Sequence, residues 1–185
     1  MKRMLAIAAV AASVALSLAG CSSAVPLDAA DDAKNVACAA IVVALPDTVA
    51  SQEKRETTSQ GTGAWGDPTS VTLRCGVAIP GPSTLPCVLV GSVYWIRDDA
   101  NAPDYRFTTY GREPAVQVVV DQDVVSPGVA LYDLESAVRA TTVTGQCTEI
   151  EDELQGDGSA ATPAPTSDPT ATSAPTPTVT ATTEP

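Results

Sequence analysis

Cys21 is the residue with the clearest chemistry in this chain, because it closes the string Leu18-Ala19-Gly20-Cys21 behind a charged and then apolar leader. Lys2 and Arg3 hold the N-terminus on the cytoplasmic side, and the run from Met4 to Leu18 is too short for a comfortable permanent span. The small Ala19 and Gly20 open the bond before Cys21 to a peptidase. Residues 1–20 are therefore expected to leave as a lipoprotein signal peptide, with the Cys21 thiol carrying a diacylglyceryl group of the palmitate kind. Two acyl chains hold lastingly, since each buried methylene contributes about 0.8 kcal/mol and one chain alone is marginal. The competing reading is an ordinary secretory peptide cut nearby, with Cys21 lost or left as a free thiol. The anchored reading places the mature chain on the extracytoplasmic face of the cell membrane.

The other cysteines, Cys38, Cys75, Cys87 and Cys147, are even in number and bound for an oxidising compartment, so two disulfides are expected. Four cysteines allow three pairings. Cys75 closes an apolar alternation with Val71, Leu73 and Val77, and Cys87 opens the next apolar segment. That favours a local Cys75–Cys87 bridge and leaves Cys38–Cys147 to join the ends of the domain. There is no CxxC spacing and no histidine, so no metal, redox pair or cofactor is expected.

Without histidine, Ser-His-Asp and Cys-His nucleophiles are excluded. Lys34 and Lys54 lie in no serine motif, and no Gly-rich phosphate loop follows a strand. Glu113 and Asp121 are candidate carboxylates, but nothing in their spacing sets their separation. The expectation is a non-enzyme; its rival is a carboxylate-based hydrolase or transferase of the envelope. For binding, the aromatics fall close to arginines along the chain, and Arg55, Trp65, Trp95, Tyr110 and Arg112 are the candidate residues. Stacking faces and guanidinium groups are what wall glycan or peptide recognition uses. The structural alternative is that the aromatics cap turns at Trp65-Gly66 and Tyr110-Gly111, with Arg112 paired internally to Glu113 or Asp121.

These residues need elements to position them. A helix is expected from Asp31 or Asp32 to just before Pro46, burying a stripe of Cys38, Ile41, Val42 and Leu45. Residues Asp47 to Gly63 read as a polar loop. Strands are expected at Val71–Cys75, Cys87–Val90, Val93–Ile96, Tyr105–Tyr110 and Ala115–Val120, with Gly91-Ser92 as a tight hairpin turn. Ser126 and Pro127 start a last helix that buries Leu131, Leu134 and Val138. The fold class is α+β: a small antiparallel sheet of four to five strands with both helices on one face. The domain occupies residues 32–155, behind a lipidated tether at 21–31. A Thr/Pro/Ala-rich tail at 156–185 lacks the apolar residues to offset its ordering entropy and is expected to be disordered, either glycosylated or bare.

Without Lys2 and Arg3, eight basic residues face 22 acidic ones, a mature net charge near −14. That argues against nucleic acid and against electrostatic adhesion to an anionic membrane, so attachment falls to the lipid. Several motifs now stand in one order: Ala37-Cys38-Ala39-Ala40 with Leu45-Pro46, Arg55, Ala64-Trp65-Gly66-Asp67-Pro68, Leu73-Arg74-Cys75-Gly76-Val77, Cys87, Val93-Tyr94-Trp95, and Thr109 to Val116. In these the chain resembles a family of secreted actinobacterial lipoproteins known as domain of unknown function three-five-one-five. The resemblance implies a membrane or envelope protein and carries no activity. The expected role is thus an accessory or binding module for wall glycan, peptide or an envelope protein partner.

Overall fold

In a computed structural model describing residues 23–150, the first helix begins at Asn35 instead of Asp31 or Asp32. The Asn35 side-chain oxygen accepts from Ala37 N at 3.0 Å, while its amide donates to Asp32 Oδ2 at 2.9 Å, so residues 31–34 form a turn that feeds the cap. Helix α1 spans Val36–Ala44, and Leu45 turns extended before Pro46, as proline requires of its neighbour. Cys38, Ile41 and Leu45 are buried, and Val42 is half-buried.

Eight antiparallel strands, not four or five, make the main sheet. They are β1 (Thr48–Val49), β2 (Gln52–Arg55), β3 (Thr62–Trp65), β4 (Val71–Val77), β5 (Cys87–Val90), β6 (Val93–Asp98) and β7 (Asp104–Thr109), with β9 (Ala115–Asp121), in the order β1-β2-β3-β4-β9-β7-β6-β5. A second pair, β8 (Arg112–Glu113) with β10 (Thr142–Val143), sits beside it. Of the three extra strands, β1 and β2 lie in the stretch that reads as a polar loop and β3 begins at its end. The Gln-Glu-Lys-Arg of β2 is near an edge and at most half-buried, and the Thr-Gly-Ala-Trp of β3 is buried at all four positions. Neither shows apolar alternation, the signal by which strands are read.

Alternation governs the remainder. Val71, Leu73 and Cys75 of β4 share the covered face with Val116, Val118 and Val120 of β9 and with Phe107 and Trp95, all fully buried. Helix α2 (Pro127–Val138) lies on that face, burying Leu131, Leu134 and Val138 as expected. Ser126 occupies the cap position, where its carbonyl accepts from Ala130 N at 3.1 Å and its side chain makes no cap bond.

Helix α2 packs on α1, on the central β9 and on both edge strands, β1 and β5, so the sheet must curl around it. Two carboxylates of α2 fix the edge hairpins. Asp133 Oδ2 accepts from Ala50 N at 2.8 Å in the β1–β2 turn. Glu135 Oε1 accepts from Ser92 N at 2.9 Å and Ser92 Oγ at 2.8 Å in the β5–β6 turn. Gly91-Ser92 is the expected hairpin turn, and a Cβ at Gly91 would collide with the Glu135 carboxylate.

The disulfides correct the expected pairing: they are Cys38–Cys75 and Cys87–Cys147, with Cα separations of 5.5 and 6.5 Å. Strand order is the reason. Although β4 and β5 are consecutive in sequence, β9, β7 and β6 stand between them, four spacings or roughly 19 Å. No disulfide reaches that far. Cys75 instead faces α1, and Cys87 meets the segment that follows β10.

Residues 23–31, expected as part of a tether, are docked. Val25 bridges Thr57, with Val25 N donating to Glu56 O at 2.8 Å and Thr58 N to Val25 O at 3.1 Å, and Asp32 N donates to Gly76 O at 3.1 Å. The signal, Cys21 and the 156–185 tail lie outside the described residues. Among the described helices none is long and apolar enough to cross a membrane.

Candidate functional site

Two clefts stand near the motifs, at different ends of the sheet. The first, about 400 Å³, is lined by Ser51, Gln52, Glu53, Lys54, Arg55, Gly66 and Asp67. Pairing of β2 with β3 sets Arg55 opposite Ala64, which brings it to the turn at Gly66-Asp67. One Arg55 terminal nitrogen, Nη1, donates to Gly66 O at 3.0 Å and pairs with Asp67 Oδ1 at 3.1 Å; the other, Nη2, donates to Ser23 O at 3.0 Å. The Asp67 side chain is 80% exposed, so this ion pair contributes little to stability. Gly66 has φ +94, and a Cβ there would lie 2.7 Å from Ser70 Oγ and 3.1 Å from Gln52 Oε1. Arg55 Nε and Ser70 Oγ are buried and have no hydrogen-bond partner. Each such group costs about 1–3 kcal/mol unless something meets it.

The second cleft, about 200 Å³, runs beside the Cys87–Cys147 bridge, between Ser83, Thr84, Leu85 and Pro86 on one side and Tyr110, Thr148 and Glu149 on the other. Its walls come from the β4–β5 connection and from the segment after β10, which the disulfide ties to β5. Tyr110 is half-buried at the end of β7, where its backbone N donates to Tyr94 O at 2.8 Å.

The five candidate binding residues are not gathered in one groove. Arg55 lines the first cleft and Tyr110 the second. Trp65 and Trp95 are fully buried; the Trp65 indole donates to Pro46 O at 3.1 Å. Arg112 is buried, donating from Nη1 to Thr141 O at 3.3 Å and from Nη2 to Ser92 O at 3.2 Å. Burial and the nearby Arg139 pull its pKa below the ordinary arginine value, against Glu135, which raises it. Asp121 ends β9 and Glu113 lies in β8, ahead of its start; β9 alone spans roughly 20 Å, whereas a glycosidase pair needs about 5–10 Å. No group of three His, Cys, Asp or Glu among the described residues is placed to hold a metal. The cleft residues that sequence reading missed include Gln52, Leu85 and Glu149, which no local motif marks.

The fold defines a disulfide-braced α+β domain with two surface clefts of about 200 and 400 Å³. The family model described as Protein of unknown function (DUF3515) matches residues 3–147, and the chain belongs to that family. No curated protein and no solved structure matches the chain.

Proposed function

We propose that this is a lipid-anchored domain on the extracytoplasmic face of the membrane that acts by binding wall glycan, peptide or an envelope protein, and not by catalysis. The cleft beside Tyr110 carries the reading. Its lining brings together Tyr110, the apolar Leu85, Pro86 and Ile96, the hydroxyl residues Ser83, Thr84 and Thr148, and one acidic residue, Glu149. An aromatic surface rimmed by hydroxyls and an acceptor suits a sugar ring or a short peptide. Its volume lies below the 300–1,000 Å³ usual for drug-sized ligands, which limits it to one sugar or one to two residues of a longer polymer. Support for anchoring comes from the Leu18-Ala19-Gly20-Cys21 ending of the leader.

The test is affinity capture from native envelope with the mature protein and its Tyr110→Ala variant. Glycan or a partner retained by the first and lost by the second, with matching melting curves, is the expected result. Equal capture by both overturns the Tyr110 site. Hydrolysis of wall material by the purified protein would favour the catalytic rival.

A further inference from the structure

One wall of the cleft beside Tyr110 is a strap, residues 146–150, joined to the other wall by the Cys87–Cys147 bridge. We infer that this bridge is a site of thiol–disulfide exchange, at which a dithiol protein frees the strap and unmakes the cleft while the rest of the fold stays closed. The effect on ligand capture rests on the binding reading above; the exchange itself does not.

Accessibility separates the two bridges. Cys38 and Cys75 are both 0% exposed, sealed between α1 and β4. Cys87 is 8% exposed, Cys147 is half-buried, and both line the open cleft. Exchange requires a thiolate to reach a sulfur, so of the two bridges the one bordering solvent is the one that reacts.

Attachment separates the strap from the domain. Val143 pairs with Arg112, and Thr144 N and Gly145 N donate to Gly111 O at 2.7 and 3.2 Å. The chain crosses itself closely here, since a Cβ at Gly111 would collide with the Gly145 backbone. Among the described residues these are the last hydrogen bonds along the chain, and Gln146, Thr148, Glu149 and Ile150 are exposed. Beyond Gly145 the bridge is therefore what holds Cys147, Thr148 and Glu149 opposite Leu85 and Pro86. Opening it releases one wall and leaves β8–β10 paired.

The step balances as a two-electron transfer. A thiolate of the partner attacks Cys147, the more exposed of the pair, forms a mixed disulfide there and expels the Cys87 thiolate, which takes up a proton. The partner's second thiol then displaces Cys147, so the partner leaves as a disulfide and both cysteines remain as thiols. The bridge is the substrate of this exchange, not its catalyst.

The experiment exposes the mature chain carrying Cys21→Ser to graded dithiothreitol or to reduced thioredoxin, maps alkylated thiols by mass spectrometry and records amide NMR spectra of the same samples. Cys87 and Cys147 should be labelled at least about tenfold faster than Cys38 and Cys75. The Leu85, Ile96, Tyr110 and Thr148 amides should shift while those of β4 and β9 keep their positions. The Cys87→Ser, Cys147→Ser variant should give the same spectrum without reductant. Equal labelling of all four cysteines, collapse of the β4 and β9 signals with the bridge, or cleft amides that do not move on reduction overturns the inference. A bridge opened by dithiothreitol but not by thioredoxin overturns the protein partner. Envelope capture reports the binding reading separately, and capture by the oxidised form alone is expected. Capture by neither form, with selective opening, overturns the Tyr110 reading and leaves the exchange site, whereas equal capture by both overturns control of the cleft by its bridge.

Discussion

Arg112 shows how a residue that looks made for recognition can be spent on structure. Its guanidinium reaches Thr141 O and Oγ1 on one side and Ser92 O on the other, so it fastens the end of α2 to the β5–β6 turn across the start of β8. Three acceptors would lose a charged donor in Arg112→Ala, and one of them, Thr141 O, is a buried main-chain carbonyl. The expected cost is about 2–3 kcal/mol, which lowers the melting temperature by on the order of 10 °C. Partner capture after refolding should be unchanged. A melting curve identical to wild type would show that these bonds contribute nothing and would return Arg112 to the binding candidates. Trp65 and Trp95 were ambiguous in sequence for the same reason: type and spacing reveal an aromatic beside a turn, but which face of the sheet it occupies depends on neighbours distant in sequence. Arg55 is a candidate in the sequence through the aromatic motifs near it, and the structure places it on the wall of the first cleft. Its bond to Ser23 was not legible, since 32 residues separate the two.

The two edge hairpins form a natural experiment at the level of elements. Both turns are held by carboxylates of α2, yet one has glycine where φ is positive and the other does not. Gly91 has φ +59, and a side chain there would strike Glu135; Gly91→Ala is expected to destabilise by about 1–3 kcal/mol. Ala50 and Ser51 have φ 46 and 64, values that most L residues adopt at a cost of roughly 1–2 kcal/mol each. Ser51→Gly should therefore stabilise, by up to about 1 kcal/mol once the freer unfolded chain is allowed for. Denaturant melts of the two variants should move in opposite directions, and movement in the same direction would refute this account of the turns. Sequence legibility followed the same division. The Gly91-Ser92 hairpin, β7, β9 and α2 were readable from alternation, a permissive glycine and a Ser-Pro start. The β1–β2 hairpin was not, because its turn is Ala-Ser where Asn-Gly would have signalled it, and Asp133 on a remote helix supplies what the turn residues lack.

For the whole molecule, the disulfides decide where the chain can fold. Cys38–Cys75 ties α1 to the middle of the sheet, and Cys87–Cys147 ties the C-terminal segment to an edge strand, so no residue is shared between the two closed loops. With sequence separations of 37 and 60, chain entropy gives each bridge about 4 kcal/mol. Domains of this size are stable by about 5–15 kcal/mol in total. Removing one bridge should leave a weakened native fold, while removing both approaches the whole margin. The Cys38→Ser, Cys75→Ser variant and the Cys87→Ser, Cys147→Ser variant are each expected to melt cooperatively at a lower temperature, and the fourfold variant to lack a cooperative transition near 37 °C. Circular dichroism melts decide it, and a fourfold variant as stable as wild type would overturn the entropy account.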